Sequence, residues 1–315
     1  MKPIVLFGAL TITMVSIFLY SACTPDSEGP KPNPIKPPPT TQTPMDIYLC
    51  FGQSNMEGYI PIIDGIPVEI PAEDKQDVSD RFQVLAAVDM PDLERVQGEW
   101  YTAVPPLCRS DTGLSPADYF GRAMVEGSSN PNVKVGVIVV AVAGCAINMF
   151  DKDTDVSESY LNAQQNWMKN IAAQYDDNPY QRLVDMANIA QESGVIRGIL
   201  LHQGESGKAG TSGANGSDNA NWAAAVKGIY DDLLADLGLP ANSVPLLAGQ
   251  VVGNSSSIIN GLPNTMPSVA HVISSQGLTA AGPSGNNALH FSYEGYRELG
   301  RRYAEKMLEL LSDEE

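Results

Sequence analysis

Four short apolar runs, separated by stretches with helical spacing, limit the folds open to this chain more than any other feature. They lie at residues 46–51 (DIYLCF), 133–142 (VKVGVIVVAV), 195–202 (VIRGILLH) and 244–252 (VPLLAGQVV). Runs this short that are apolar on successive residues suit strands covered on both faces, as in a parallel sheet. A helical pattern over 117–127 follows Ser115-Pro116, a favourable start for a helix. Residues 179–193 place Leu183, Met186, Ala187 and Ala190 on one face, and 221–237 do the same with Trp222, Val226, Ile229, Leu233 and Leu237. A last helix over 292–311 carries Tyr296, Leu299, Tyr303, Met307 and Leu310 on one stripe. Strands alternating with helices predict βαβ crossovers and an α/β fold: a three-layer α/β/α sandwich with a parallel sheet. Residues 60–115 are Pro-rich and irregular and predict long loops above one end of the sheet, with a further strand near 81–87. In such sheets ligands bind beyond the carboxyl ends of the strands.

The ends of the chain read differently. Residues 1–22 have a basic Lys2 and an apolar run from Ile4 to Leu19, the layout of a secretory signal and short for a membrane span. Tyr20-Ser21-Ala22 before Cys23 resembles the lipobox of bacterial lipoproteins, which implies cleavage before Cys23 and its acylation. Residues 23–44 are Pro-rich with almost nothing to bury, and predict a semi-rigid tether. The folded domain is expected over 45–315. The chain is thus expected to be an exported lipoprotein, held at a membrane in the periplasm or at the cell surface through its N-terminal lipid alone.

Composition narrows the function. Nineteen Lys and Arg against 37 Asp and Glu give a formal charge of −18, which lacks the basic footprint of a nucleic-acid binder. With three His, four Cys and no Cys-x-x-Cys or His-x-x-x-His pair, no metal site is expected. Besides Cys23, the odd number Cys50, Cys108 and Cys145 leaves at least one thiol unpaired. Asp151, Asp153 and Asp155 alternate as in a calcium loop but lack its glycine and closing glutamate, so a solvated acidic loop is expected.

The candidate chemistry begins at Phe51-Gly52-Gln53-Ser54-Asn55-Met56, directly after the first strand. A glycine before a serine at a strand-to-helix turn permits a tight bend and projects the hydroxyl from the strand end, where a nucleophile is wanted; a helix N-cap is the plainer reading. A serine nucleophile needs a base. His271 lies in an apolar segment and reads as structural, and His202 ends a strand and reads as support for the Gln203–Glu205 turn. His290, just before the last helix, can swing over the sheet edge and is the better base. Trp100 and Tyr101 could stack on sugar or fill core, and 207–219, rich in Gly, Ser and Asn, reads as a loop at the site's edge.

Gly52-Gln53-Ser54-Asn55-Met56-Glu57-Gly58 closely resembles the opening motif of the sialate O-acetylesterase-like domain, a branch of the SGNH/GDSL hydrolases that includes carbohydrate esterase family six acetylxylan esterases. His202-Gln203-Gly204-Glu205-Ser206 is similar to the second signature of that branch, residues 143–147 to its glycine block and Leu289-His290-Phe291-Ser292 to its closing block. The resemblance implies a flavodoxin-like sandwich and an acetylesterase acting on acetylated glycan without metal or organic cofactor. It implies that Ser54 attacks the ester, that His290 carries the proton, and that the Ser54 N–H, a glycine N–H and the Gln203 amide form the oxyanion hole. Gly113 is the preferred glycine and Gly144 the second choice; Gln53, Asn55 and Asn287 are expected to support. The family's acid three residues before the histidine is Asn287 here, so Glu205 is expected to orient His290, with a Ser54–His290 pair steadied by Asn287 as the alternative. A lipase or thioesterase, and a non-catalytic glycan binder, are the competing readings.

Overall fold

A computed structural model describes residues 45–206, 219–254 and 257–312. The expected leader, Cys23, the tether and most of the 207–219 loop lie outside the described residues. The strands are β1 (Met45–Gly52), β2 (Ile62–Ile63), β3 (Ile66–Pro67), β4 (Phe82–Leu85), β5 (Trp100–Thr102), β6 (Val135–Ala141), β7 (Gly194–His202), β8 (Leu246–Gly249) and β9 (Ala270–Ile273). The helices are α1 (Ser54–Glu57), α2 (Pro116–Gly127), α3 (Thr154–Asn162), α4 (Asn166–Ala172), α5 (Pro179–Gln191), α6 (Asn219–Asp236), α7 (Ser257–Asn260), α8 (Leu262–Thr265) and α9 (Tyr293–Ser312).

Seven strands form one sheet in the order β5-β4-β6-β1-β7-β8-β9. All neighbours are parallel except β4 and β5. β2 and β3 make a separate small hairpin. β1 sits centrally and is buried on both faces because its side chains alternate between two cores. Ile47, Leu49 and Phe51 join α5 and α6, whereas Tyr48 and Cys50 join α2 and α9. The result is a three-layer α/β/α sandwich. The stripes expected on α5, α6 and α9 are buried, with Leu310 only partly so. α2 starts where Ser115-Pro116 indicated, in a capping box: Ser115 Oγ accepts from the Ala117 N–H, and Asp118 Oδ2 accepts from the Ser115 N–H at 2.8 Å.

Two sheet strands were not anticipated. β5 is a three-residue antiparallel edge and β9 a four-residue parallel edge. Both are short and only partly buried, so they lack the continuous apolar signal of the central strands. β9 carries His271 three strands away from β1, which removes it from the chemistry at the β1 end. Cys50, Cys108 and Cys145 are all buried free thiols.

Register sets the position of the site. Gly52 pairs with Ala141 on β6 and with His202 on β7, so these three residues end their strands in one row. β6 and β7 flank β1, and the chain changes sides between them, so the loops beyond the row open around a crevice.

Candidate active site

The row of strand ends brings the four sequence segments together. Gly52 closes β1 with φ +150, and a Cβ there would lie 2.1 Å from the His202 carbonyl oxygen. Only glycine allows that approach. The chain then turns into α1, whose first residue is Ser54, 7% exposed. His290 arrives from the turn before α9, and its Nε2 lies 2.7 Å from Ser54 Oγ. Its Nδ1 lies 2.6 Å from the Asn286 carbonyl oxygen. A carbonyl only accepts, so neutral His290 carries its proton on Nδ1 and offers the Nε2 lone pair to the Ser54 hydroxyl. Tyr59 stacks on the imidazole at 3.9 Å between centroids and 12° between planes. Burial holds the His290 imidazole below its usual pKa, against the opposing pull of the Asn286 carbonyl and the Glu205 charge. The arrangement therefore favours a neutral ring poised to take a proton from a serine.

Glu205 is not hydrogen-bonded to His290. Its Oε1 accepts from Asn55 Nδ2 at 2.5 Å and lies 3.4 Å from His202 Nε2. Burial raises its carboxyl pKa, but nearby His202 and the bond from Asn55 outweigh this, and the net shift is downward. The expected Ser54–His290–Glu205 chain of contacts is thus corrected: Glu205 influences His290 by charge alone, because Asn55 and His202 hold it on the β7 side. Asn287 does not orient the ring either. Its Oδ1 accepts from the Tyr59 hydroxyl at 2.8 Å and from the Ile62 N–H, and its Nδ2 donates to the Ile62 carbonyl at 2.6 Å. Asn287 instead fixes Tyr59 and the β2–β3 hairpin, while the neighbouring Asn286 backbone holds the imidazole.

The expected oxyanion donors divide in the same way. The Gly113 N–H is occupied by the Gly58 carbonyl at 2.8 Å, since the 109–113 turn packs behind that corner. Gln203 is 1% exposed; its Nε2 donates to the Cys145 carbonyl at 3.1 Å and its Oε1 accepts from Trp222 Nε1. Both therefore brace the site from behind. Gly144, the second choice, lines the cleft with φ +69, and its N–H has no acceptor among the described residues. The Ser54 N–H, at the start of α1, is likewise without an acceptor among the described residues.

Gln53 and Asn55 connect the segments. Gln53 Oε1 faces the N–H groups of Gly204 and Ser206, both at 3.4 Å. Asn55 Nδ2 also donates to the Leu289 carbonyl, and its Oδ1 accepts from the Phe291 N–H and from the Tyr296 hydroxyl at 2.7 Å. One buried amide thereby ties the first, second and closing motifs together.

The cleft over Ser54 encloses about 420 Å³ and is lined by Gln53, Glu57, Tyr59, Gly144, Trp167 and Glu205, among others. Trp167, on α4, is its exposed aromatic; a Cβ on Gly144 would lie 2.6 Å from the Trp167 ring. The sequence reading missed Trp167, because only the spatial neighbourhood of the 143–147 glycine block reveals it. Trp100 instead packs over Gly136 and Met45, near the opposite end of the sheet. Tyr101 sits on β5 with its hydroxyl accepting from the Val96 N–H. Asp151 and Asp153 accept backbone N–H bonds at the start of α3. Among the described residues, no group of three or more His, Cys, Asp or Glu is placed to hold a metal ion.

A family profile described as "Carbohydrate esterase, sialic acid-specific acetylesterase" matches residues 44–309. The chain belongs to this family. Solved structures share the fold of this acetylesterase-family chain. A protein from Arabidopsis thaliana superposes with a TM-score of 0.61 at 20% identity, covering 85% of this chain and 99% of the plant protein. NanS superposes with a TM-score of 0.56 at 17% identity, covering 86% and 99%. A carbohydrate acetylesterase from Xanthomonas citri gives 0.51 at 14% identity, covering 82% of this chain and 55% of its own. These identities speak for the architecture; the family assignment rests on the profile match.

Proposed function

We propose that this carbohydrate esterase removes O-acetyl groups from glycan through a Ser54 nucleophile and a His290 base. The observation that carries the reading is the 2.7 Å contact between Ser54 Oγ and His290 Nε2 at the mouth of a cleft. His290 takes the hydroxyl proton as Ser54 attacks the acetyl carbonyl. The tetrahedral oxyanion is met by the N–H groups of Ser54 and Gly144, donors each worth on the order of 3 kcal/mol in the transition state. His290 then gives that proton to the sugar oxygen as its bond to the acetyl carbon breaks, so the sugar leaves with a free hydroxyl and Ser54 keeps the acetyl group. Water, activated by the same imidazole, releases acetate from Ser54. The Asn286 carbonyl and the Tyr59 ring hold the base in place of a hydrogen-bonded carboxylate. A small cleft rimmed by Trp167 and polar side chains suits an acetyl group on a sugar better than a long acyl chain.

Acetate release from an aryl acetate and from acetylated glycans tests this. Ser54→Ala and His290→Ala should each lower kcat by at least about 10⁴-fold, with the folded state unchanged by circular dichroism. Near-full activity in Ser54→Ala would refute the assignment.

The reading extends to an exported enzyme anchored at a membrane through acylated Cys23. No helix among the described residues is long and apolar enough to cross a membrane. Labelled palmitate should enter the chain expressed in a bacterial host and be lost in Cys23→Ala; equal labelling of both would remove the anchor from the account.

A further inference from the structure

We propose that Tyr59 is a positioning residue that acts through His290: its ring face stabilises the imidazolium formed when the base takes the Ser54 proton, and Asn287 holds that face in register. The proposal rests on the esterase reading and adds a way for its base to carry a charge. The two rings lie 3.9 Å apart between centroids and 12° apart in plane. Two neutral aromatic rings favour an offset or edge-on approach, with centroids about 4.5–7 Å apart, over superposition this close. A cation is instead best placed over the face of a ring, within about 6 Å of its centre. The stack therefore strengthens when His290 becomes charged, which is the change that attack by Ser54 demands of it.

Tyr59 is fixed at both ends. Its main-chain N–H donates to the Tyr296 hydroxyl at 3.3 Å, and its own hydroxyl donates to Asn287 Oδ1 at 2.8 Å. Ile62 sets the direction of that second bond. Asn287 Nδ2 donates to the Ile62 carbonyl at 2.6 Å while Oδ1 accepts from the Ile62 N–H at 3.2 Å, so the amide cannot turn over and the phenol must be the donor. A phenol that donates to a carbonyl is polarised toward its oxygen and ring, which improves its hold on a cation. Burial raises the Tyr59 phenol above its usual 10, so it stays a donor while His290 titrates. The other groups that act on the imidazole are Glu205 and His202 beside the end of β7, Glu57 across the cleft on α1 and the Asn286 carbonyl at Nδ1. Burial lowers the His290 pKa, the Asn286 carbonyl and Glu205 raise it, and His202 lowers it. Substitution at 59 by an uncharged residue leaves every one of these in place.

The test is an NMR titration of the His290 Cε1–H in the full chain, its signal assigned by its loss in His290→Ala. Tyr59→Leu and Tyr59→Met keep an apolar cover over the imidazole but remove the ring face, and either one suffices. The His290 midpoint should fall by about 0.5–1 pH unit in these variants. Tyr59→Phe restores the face and should recover most of that fall, with Asn287→Ala, which breaks the same bond from its other end, showing a similarly small one. For an aryl acetate, kcat should fall about three- to tenfold in Tyr59→Leu, and the acid limb of its pH profile should follow the midpoint. A midpoint in Tyr59→Leu or Tyr59→Met equal to or above the parent's overturns the proposal, as does a Tyr59→Phe midpoint as low as theirs. The titration needs no turnover, so absence of aryl acetate hydrolysis by the parent would count against the esterase reading separately.

Discussion

Single atoms decide how the proposed base of this site is held. A catalytic histidine needs its proton on the nitrogen facing away from the serine, and here a main-chain carbonyl rather than a carboxylate enforces that. The meeting of Ser54 and His290 was legible in the sequence, since a serine after a strand-ending glycine and a histidine before a helix are local patterns. The role of Asn286 was not legible, because every residue has a carbonyl and only the fold aims one. Glu205 carries the sharper consequence. Glu205→Gln keeps an oxygen for Asn55 but removes the charge that raises the His290 pKa. Burial holds the His290 pKa below the usual 6.5, so the acid limb of kcat/KM is expected below that value and should move to still lower pH in the variant. The loss of rate should be about tenfold, far short of the roughly 10⁴-fold seen when a carboxylate hydrogen-bonded to the imidazole is neutralised. A pH–rate profile of both proteins checks the direction and the size.

Elements were readable in proportion to how their environment marks them. β1, β6 and β7 are buried on both faces and appear as unbroken apolar runs, whereas β5 and β9 sit at the sheet edges and leave no such trace. α4, which delivers Trp167, was missed because it is short and buries only Met168 and Ala172 of its seven residues. α2 was placed from its capping residues, and that cap carries a pH dependence. Asp118 is fully buried, and burial raises its carboxyl pKa to about 7. The folded state therefore holds a proton there between the unfolded value of 3.8 and about 7, and stability from this group falls as pH rises through that window. Asp118→Asn keeps an acceptor for the Ser115 N–H without the charge. Relative to the parent it should gain on the order of 1–3 kcal/mol at pH 7 and little at pH 4. Urea denaturation at the two pH values measures this.

Across the whole molecule, the topology makes a site out of scattered segments. The order β6-β1-β7 places the residues after three separate strands in one crevice, and α9 lays its preceding turn across the opening. The alternation of strands and helices made the sandwich foreseeable, but not the sheet order, because apolar runs do not state their neighbours. Ser54 and His290 are 236 residues apart in sequence, yet their side chains meet at 2.7 Å. Treatment with a fluorophosphonate, followed by peptide mass spectrometry, tests that convergence directly. The account predicts one adduct, on Ser54, formed much more slowly in His290→Ala. An adduct on a different residue, or labelling of Ser54 at an unchanged rate in His290→Ala, would contradict it.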